Sequence, residues 1–113
     1  MRHVSKPWGW EDWLVVTDKY VLKQIFIRRG HRLSLQYHKK KTESVALVVQ
    51  PGRDYALLTL NGRTRKLVER FVTILPGQIH RLAAPKGWNV SIIEVSTPHL
   101  DDVVRIEDDY GRC

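Results

Sequence analysis

Residues 30–43, GHRLSLQYHKKKTE, decide how the rest of the chain is read. If residues 32–38 are extended, side chains two apart point the same way, so Arg32, Ser34, Gln36 and His38 share one face while Leu33, Leu35 and Tyr37 share the other. Such a polar face either meets solvent or lines a polar pocket, and the stretch alone allows both. Two residues beyond 32–38 favour the pocket. Glu43 follows His38 by five residues, across a short turn, and His80 comes just after Pro76-Gly77 at the start of another apolar run. Either histidine alone reads as a structural or surface residue. Two imidazoles, a carboxylate and the amide oxygen of Gln36 together make a mononuclear metal set, suited to one divalent transition ion such as zinc, manganese, iron, cobalt or nickel rather than calcium or magnesium.

Outward from this stretch the chain reads as β throughout. WLVVT (13–17), YVLKQIFIRR (20–29) and LSLQYH (33–38) are short runs rich in β-branched and aromatic residues, separated by turn signals, and SVALVV (44–49) ends at Pro51-Gly52. YALLTL and TRKLVE flank Asn61-Gly62, a strong hairpin signal. FVTIL (71–75), HRLAA (80–84) and NVSIIEVST (89–97) follow, divided by Pro76-Gly77 and Pro85-Lys86-Gly87, before an acidic tail, DDVVRIEDDYGR. No window keeps a helical apolar period, and many short strands with evenly spaced turns predict an all-β sandwich or closed barrel, of which the jelly roll is one solution.

The 113 residues suffice for a single domain, 1–113, with its own core. The only cysteine is Cys113, so no disulfide framework exists, and the first residues, MRHVSKPWGWEDW, lack the apolar run of a signal peptide. No stretch approaches a membrane span. The expectation is a cytoplasmic protein without a membrane partner. The net charge of +7 is scattered rather than gathered into a stripe or a nucleic-acid module, which argues against nucleic acid and suits a small anionic substrate.

The residues carry a resemblance. Gly30, Gln36, His38 and Glu43 are spaced like the first cupin motif, with glutamine where many cupins have a first histidine, and Gly77 with His80 resembles the core of the second. LSLQYH with its glutamate, HRL (80–82), IEV (93–95) and the YGR ending, together with the opening KPWGWED, are similar to the cupin domain of type II phosphomannose isomerases and their stand-alone relatives. The chain departs from the family at His38-Lys39-Lys40-Lys41, where many members carry a run of histidines, and in a longer turn at residues 50–55, both expected near the pocket mouth.

The resemblance implies a cupin jelly-roll barrel, a homodimer, and an aldose-ketose isomerase acting on a sugar phosphate, with mannose 6-phosphate to fructose 6-phosphate the first candidate. Glu94, which shares strand parity with Ile92, and Lys41 are the candidate bases, and Arg32, Arg81, Arg105 and Arg112 the candidate phosphate ligands, since a guanidinium binds two phosphate oxygens at once. Lys39 to Lys41 are a second place for the phosphate. Trp8, Trp10 and Trp13 read as core or interface anchors, with stacking on a sugar ring the lesser reading. The charged tail is expected to dock at the pocket mouth through Val103, Val104, Ile106 and Tyr110, with an arginine facing the substrate. Two other function classes stay open: a metal-dependent epimerase, lyase or oxygenase on the same scaffold, and a non-catalytic module that binds a sugar phosphate or nucleotide sugar.

Overall fold

The strand Val21–Ile27 shows the alternation on which the fold is built: Val21, Lys23, Ile25 and Ile27 are buried and the residues between them half-buried. A computed structural model describes residues 1–113. It contains no α-helix, hence none long and apolar enough to cross a membrane. The strands are β1 (Arg2–Lys6), β2 (Gly9–Val16), β3 (Val21–Ile27), β4 (Leu35–Tyr37), β5 (Glu43–Leu47), β6 (Ala56–Leu60), β7 (Arg63–Leu67), β8 (Val72–Ile74), β9 (His80–Ala83), β10 (Val90–Ser96) and β11 (Val104–Glu107). They form a six-stranded sheet, β1-β2-β3-β10-β5-β8, and a five-stranded sheet, β11-β4-β9-β6-β7, with every pairing antiparallel. Ile25, Ile27, Val45, Leu47, Val90 and Ile92 from the first sheet meet Ala56, Leu58, Leu67 and Leu82 from the second in one apolar core. The expected all-β architecture is present, and each strand read from the sequence appears, with its ends shifted, most of all in β2, which begins at Gly9 rather than Trp13.

Two local features differ from the sequence reading. The first residues are a strand, β1, paired to β2, because Pro7-Trp8 closes a tight hairpin that lays residues 2–6 along the sheet edge. The run 33–38 shortens to β4: Leu33 bonds to Leu82 and Arg32 bridges Ala83 outside the strand. The hairpin at Asn61-Gly62 has positive φ at both residues, 50° and 82°, as a type I′ turn needs. The turn at residues 50–53 lies beside Arg29, Trp88 and Asn89, away from the cavity described below, so its extra length does not shape the pocket mouth.

Strand register places the functional side chains. Across the five-stranded sheet Arg105, Gln36 and His80 are Cα partners in one row, and across the other Lys23, Glu94 and Val45 form a second. Along β10, Val90 and Ile92 fill the core while Glu94, next on the same face, begins a polar interior. One end of the barrel is closed by hydrocarbon and the other holds buried charge.

Gly9 permits the close approach of β2 to β3, because a Cβ there would stand 1.9 Å from the carbonyl oxygen of Phe26. The contact is with backbone, so it cannot be relieved by a rotamer. Gly9→Ala is expected to destabilise the protein by about 2 kcal/mol or more, read as a lower midpoint in chemical unfolding. An unchanged midpoint would show that β2 and β3 separate without cost.

Candidate metal centre

The turn before β9 and the end of β4 are tied together: the backbone N–H of Gly77, at φ 83°, donates to the carbonyl of His38. This brings His80, His38 and, from the start of β5, Glu43 to one point inside the barrel. All three are buried, and their ligand atoms lie within 4.8 Å of one another. The Nδ1 of His38 faces the carbonyl oxygen of Asp102 and that of His80 faces the carbonyl of Gln78 at 2.8 Å. A carbonyl only accepts, so each Nδ1 carries the proton, as in metal-binding histidines oriented by a backbone acceptor. The two Nε2 atoms point at Glu43 Oε1, at 3.4 and 3.0 Å, yet are buried without a hydrogen bond. Donors held on one ion at about 2.1 Å stand roughly 3.0 to 3.4 Å apart, so the set fits a cation. Gln36 lines the same cavity, and its Oε1 accepts from Ser34 Oγ at 2.6 Å, leaving one lone pair for a fourth ligand. His38, Glu43 and His80 could hold a metal.

Lys41 and Glu94, singled out on different grounds, meet beside this set. The Lys41 ammonium lies 3.1 Å from Glu43 and 3.3 Å from Glu94. Burial lowers its pKa, but Glu94 and Glu43 outweigh burial and hold it charged. Burial and then the nearby Glu43 charge push the Glu94 carboxyl up to about 8. Glu43 goes the other way: burial raises it, while His38, His80 and Lys41 bring it well below the usual range. Two neighbouring carboxylates are thus driven apart, as acid and base pairs in active sites are.

Asp102, which the sequence reading passed over as one of many tail acids, is the latch of the site. Its carboxylate accepts the backbone N–H groups of Lys39, Lys40 and Lys41 at 3.0, 2.7 and 2.9 Å, and its own carbonyl orients His38. Those backbone N–H groups, Lys39 and Lys40 first, hold its carboxyl down at about 2. The tail therefore fixes both a metal-ligand candidate and the loop carrying Lys41. The one sequence signal was a turn of consecutive lysines whose N–H groups need an acceptor.

The cavity over the site has a volume of about 320 Å³, lined from both sheets and by the tail. Among the four arginines, Arg105 and Arg112 reach it. Arg105 presents a buried Nε without a partner, whereas Arg112 is held by Asp108 at 2.9 Å. Arg32 is turned to the surface by Asp109, and Arg81 is engaged by the Leu33 carbonyl and Glu107. These two do not face the cavity. Lys39 and Lys40 are exposed and only Lys41 points inward. Trp8 is core, Trp10 stacks on Phe26 at 4.0 Å, and Trp13 lines the cavity flanked by Arg2 and Lys23, each 4.7 Å from its ring. The tail docks on the barrel, β11 on β4, with Tyr110 hydrogen-bonded to His31, but Ile106, expected to help anchor it, is exposed, because it points away from the sheet.

The model of the family described as mannose-6-phosphate isomerase C-terminal matches residues 1–108. The mannose-1-phosphate guanylyltransferase of Klebsiella pneumoniae is 30% identical over 116 residues, covering 99% of this chain and 24% of the relative. Mannose-1-phosphate guanylyltransferase ManC of Salmonella typhimurium is 36% identical over 115 residues, covering 98% of this chain and 23% of the relative. The chain thus spans about a quarter of the length of these relatives. A cupin-2 domain from Rhodospirillum rubrum superposes with a TM-score of 0.73 at 13% identity, over 85% of this chain and 64% of that one, and the fold is accordingly that of a cupin.

Protein stripped with chelator and reloaded is expected to bind close to one equivalent of a transition ion such as zinc or manganese. His38→Ala and His80→Ala should each remove most of that binding with the fold retained. Asp102→Ala, which touches no ligand-atom candidate except through backbone and loop, should weaken metal affinity by about tenfold or more, as loss of an orienting partner does. Competition titration with a metallochromic chelator reads all three. Unchanged affinity in the histidine variants would remove the site, and unchanged affinity in Asp102→Ala would remove the latch.

Proposed function

The chain belongs to the mannose-6-phosphate isomerase C-terminal family, and on that premise we propose that it is a metal-dependent sugar-phosphate isomerase, interconverting an aldose and a ketose, with mannose 6-phosphate and fructose 6-phosphate the first pair to test. The observation that carries the reading is that one cavity of about 320 Å³ is lined by His38 and Gln36 of the metal set, by the buried carboxyl of Glu94 and by the unpartnered guanidinium of Arg105, with Glu43 and His80 next to His38. The volume lies in the range of small-molecule sites. The same reading has the protein act in the cytoplasm as a homodimer.

The substrate needs a proton taken from C2, returned at C1, and charge on oxygen stabilised between the two events. His38, Glu43, His80 and Gln36 would hold a divalent ion, which would supply Lewis acidity to the sugar's carbonyl and hydroxyl oxygens. Glu94, as carboxylate, takes the C2 proton and as carboxylic acid delivers it to C1; the hydroxyl proton of O2 passes to O1 as the double bond shifts. Burial raises the pKa of this carboxyl towards neutrality, which suits both roles, since a base works best when its pKa is near the working pH. Lys41 stays an ammonium, 3.3 Å from Glu94, so it positions and screens rather than abstracts. Arg105, in the same cross-sheet row as Gln36, takes the phosphate in charge-assisted hydrogen bonds.

Metal-loaded protein is expected to convert mannose 6-phosphate to fructose 6-phosphate, and chelation to stop it. Glu94→Gln keeps size and should lower kcat about 100-fold or more, with little change in KM. Arg105→Ala should raise KM for the phosphorylated sugar more than tenfold, near 1.4 kcal/mol, without changing metal content. Tight binding of the sugar phosphate with no turnover, and no deuterium entering from D₂O, would replace the isomerase by a binding module.

A further inference from the structure

The six-stranded sheet contributes a feature that the isomerase reading leaves unused. Lys23 lies on the inward face of β3, between Val21 and Ile25, and is 6% exposed. A buried ammonium has three donors to satisfy. The structure gives this one a single ion-pair partner, Glu11 Oε1 at 3.3 Å, with the Trp13 ring 4.7 Å away. The same Oε1 accepts the Trp13 indole N–H at 3.0 Å, so both protein bonds fall on one oxygen and Oε2 is left over. Burial raises the Glu11 carboxyl, but Lys23 and the indole outweigh it and leave the group ionised. Glu11, Trp13 and Lys23 all line the cavity, on the six-stranded sheet, across from Gln36 and Arg105 on the five-stranded one.

We propose that Glu11 and Lys23 form a subsite for the hydroxyl groups of a sugar, reading the middle of the ligand while the metal set and Arg105 hold its ends. This rests on the sugar-phosphate reading above. An anion at this wall would meet Glu11, and a cation would meet Lys23. A hydroxyl fits both, donating to Glu11 Oε2 and accepting from the ammonium. As a purely structural pair the two charges are poorly explained, because a buried ion pair of this kind is often matched or bettered in stability by apolar residues of the same volume. Trp13 fixes Glu11 rather than stacking on the ligand, since Arg2 and Lys23 flank its ring. With C1 and C2 at the metal set, the phosphate on Arg105 and, in the pyranose that predominates in solution, O5 closing the ring, the hydroxyls left for this wall are those on C3 and C4.

Calorimetric titration of the metal-loaded wild type, Glu11→Gln and Lys23→Met with mannose 6-phosphate and its 3-deoxy and 4-deoxy analogues tests this. In the wild type, removing one of the two hydroxyls should cost about tenfold in affinity, a factor within reach of one lost hydrogen bond to a charged group. In either variant mannose 6-phosphate should fall to the level of that deoxy analogue, closing the gap. A gap unchanged in both variants, with or without a general loss of affinity, overturns the subsite and leaves the isomerase reading standing. A wild type that binds every analogue equally overturns it too. A wild type that binds no sugar phosphate sinks both, and that result is distinct from the others.

Discussion

Two buried imidazoles whose Nδ1 protons are fixed by backbone carbonyls, and whose Nε2 atoms converge on one carboxylate oxygen without hydrogen-bonding it, are the constraint that the polar end of this barrel answers to. Left without a partner, each such buried nitrogen costs about 1 to 3 kcal/mol. A cation between them and Glu43 turns that penalty into binding. The neighbouring charges follow in alternating sign: Lys41 against Glu43, Glu94 against Lys41, then Lys23 beside Glu94 on the next strand and Glu11 against Lys23. Each buried charge has an opposite neighbour, the condition on which a low-dielectric interior tolerates it.

The fold supplies this by register rather than by any unusual backbone. Antiparallel pairing sets side chains on adjacent strands roughly 4.8 Å apart, so Arg105, Gln36 and His80 stand abreast on one sheet and Lys23 and Glu94 on the other. Sliding any of these strands by one residue would turn the whole row outward. The apolar core holds the register, and the tail, through Asp102, closes the site from outside. Site assembly and tail docking are therefore one event, since His38 and the loop carrying Lys41 lose their hydrogen-bond partners if the tail lifts.

Much of this was legible in the chain itself. Alternation and Gly/Pro turns located nine of the eleven strands, all but the first and the last, and the spacing of Gln36, His38, Glu43 and His80 named the residues that the sheets bring together. What escaped was the part decided by long-range pairing. Lys23 sits in VLKQIFI, where a lysine reads as solvent-facing although strand parity with Ile25 turns it inward. Asp102 is indistinguishable in sequence from Asp101 or Asp109, and its role exists only because residues 39–41 lie against it. Arg32 and Arg81 looked as suitable for phosphate as Arg105, and it is Glu107 and Asp109, from the far end of the chain, that occupy them. The opening strand β1 lacked an apolar pattern because its sheet-edge position leaves both faces largely wet.

X-ray absorption on the zinc-loaded or manganese-loaded protein tests the central claim most directly, since it reports the ligands of the ion and not its consequences. The account predicts a first shell of nitrogen and oxygen at about 2.0 to 2.2 Å, with outer-shell scattering from two imidazoles that drops to one in His80→Ala. A loaded protein whose spectrum shows no imidazole scattering, or the same scattering in wild type and His80→Ala, would place the ion elsewhere and contradict it.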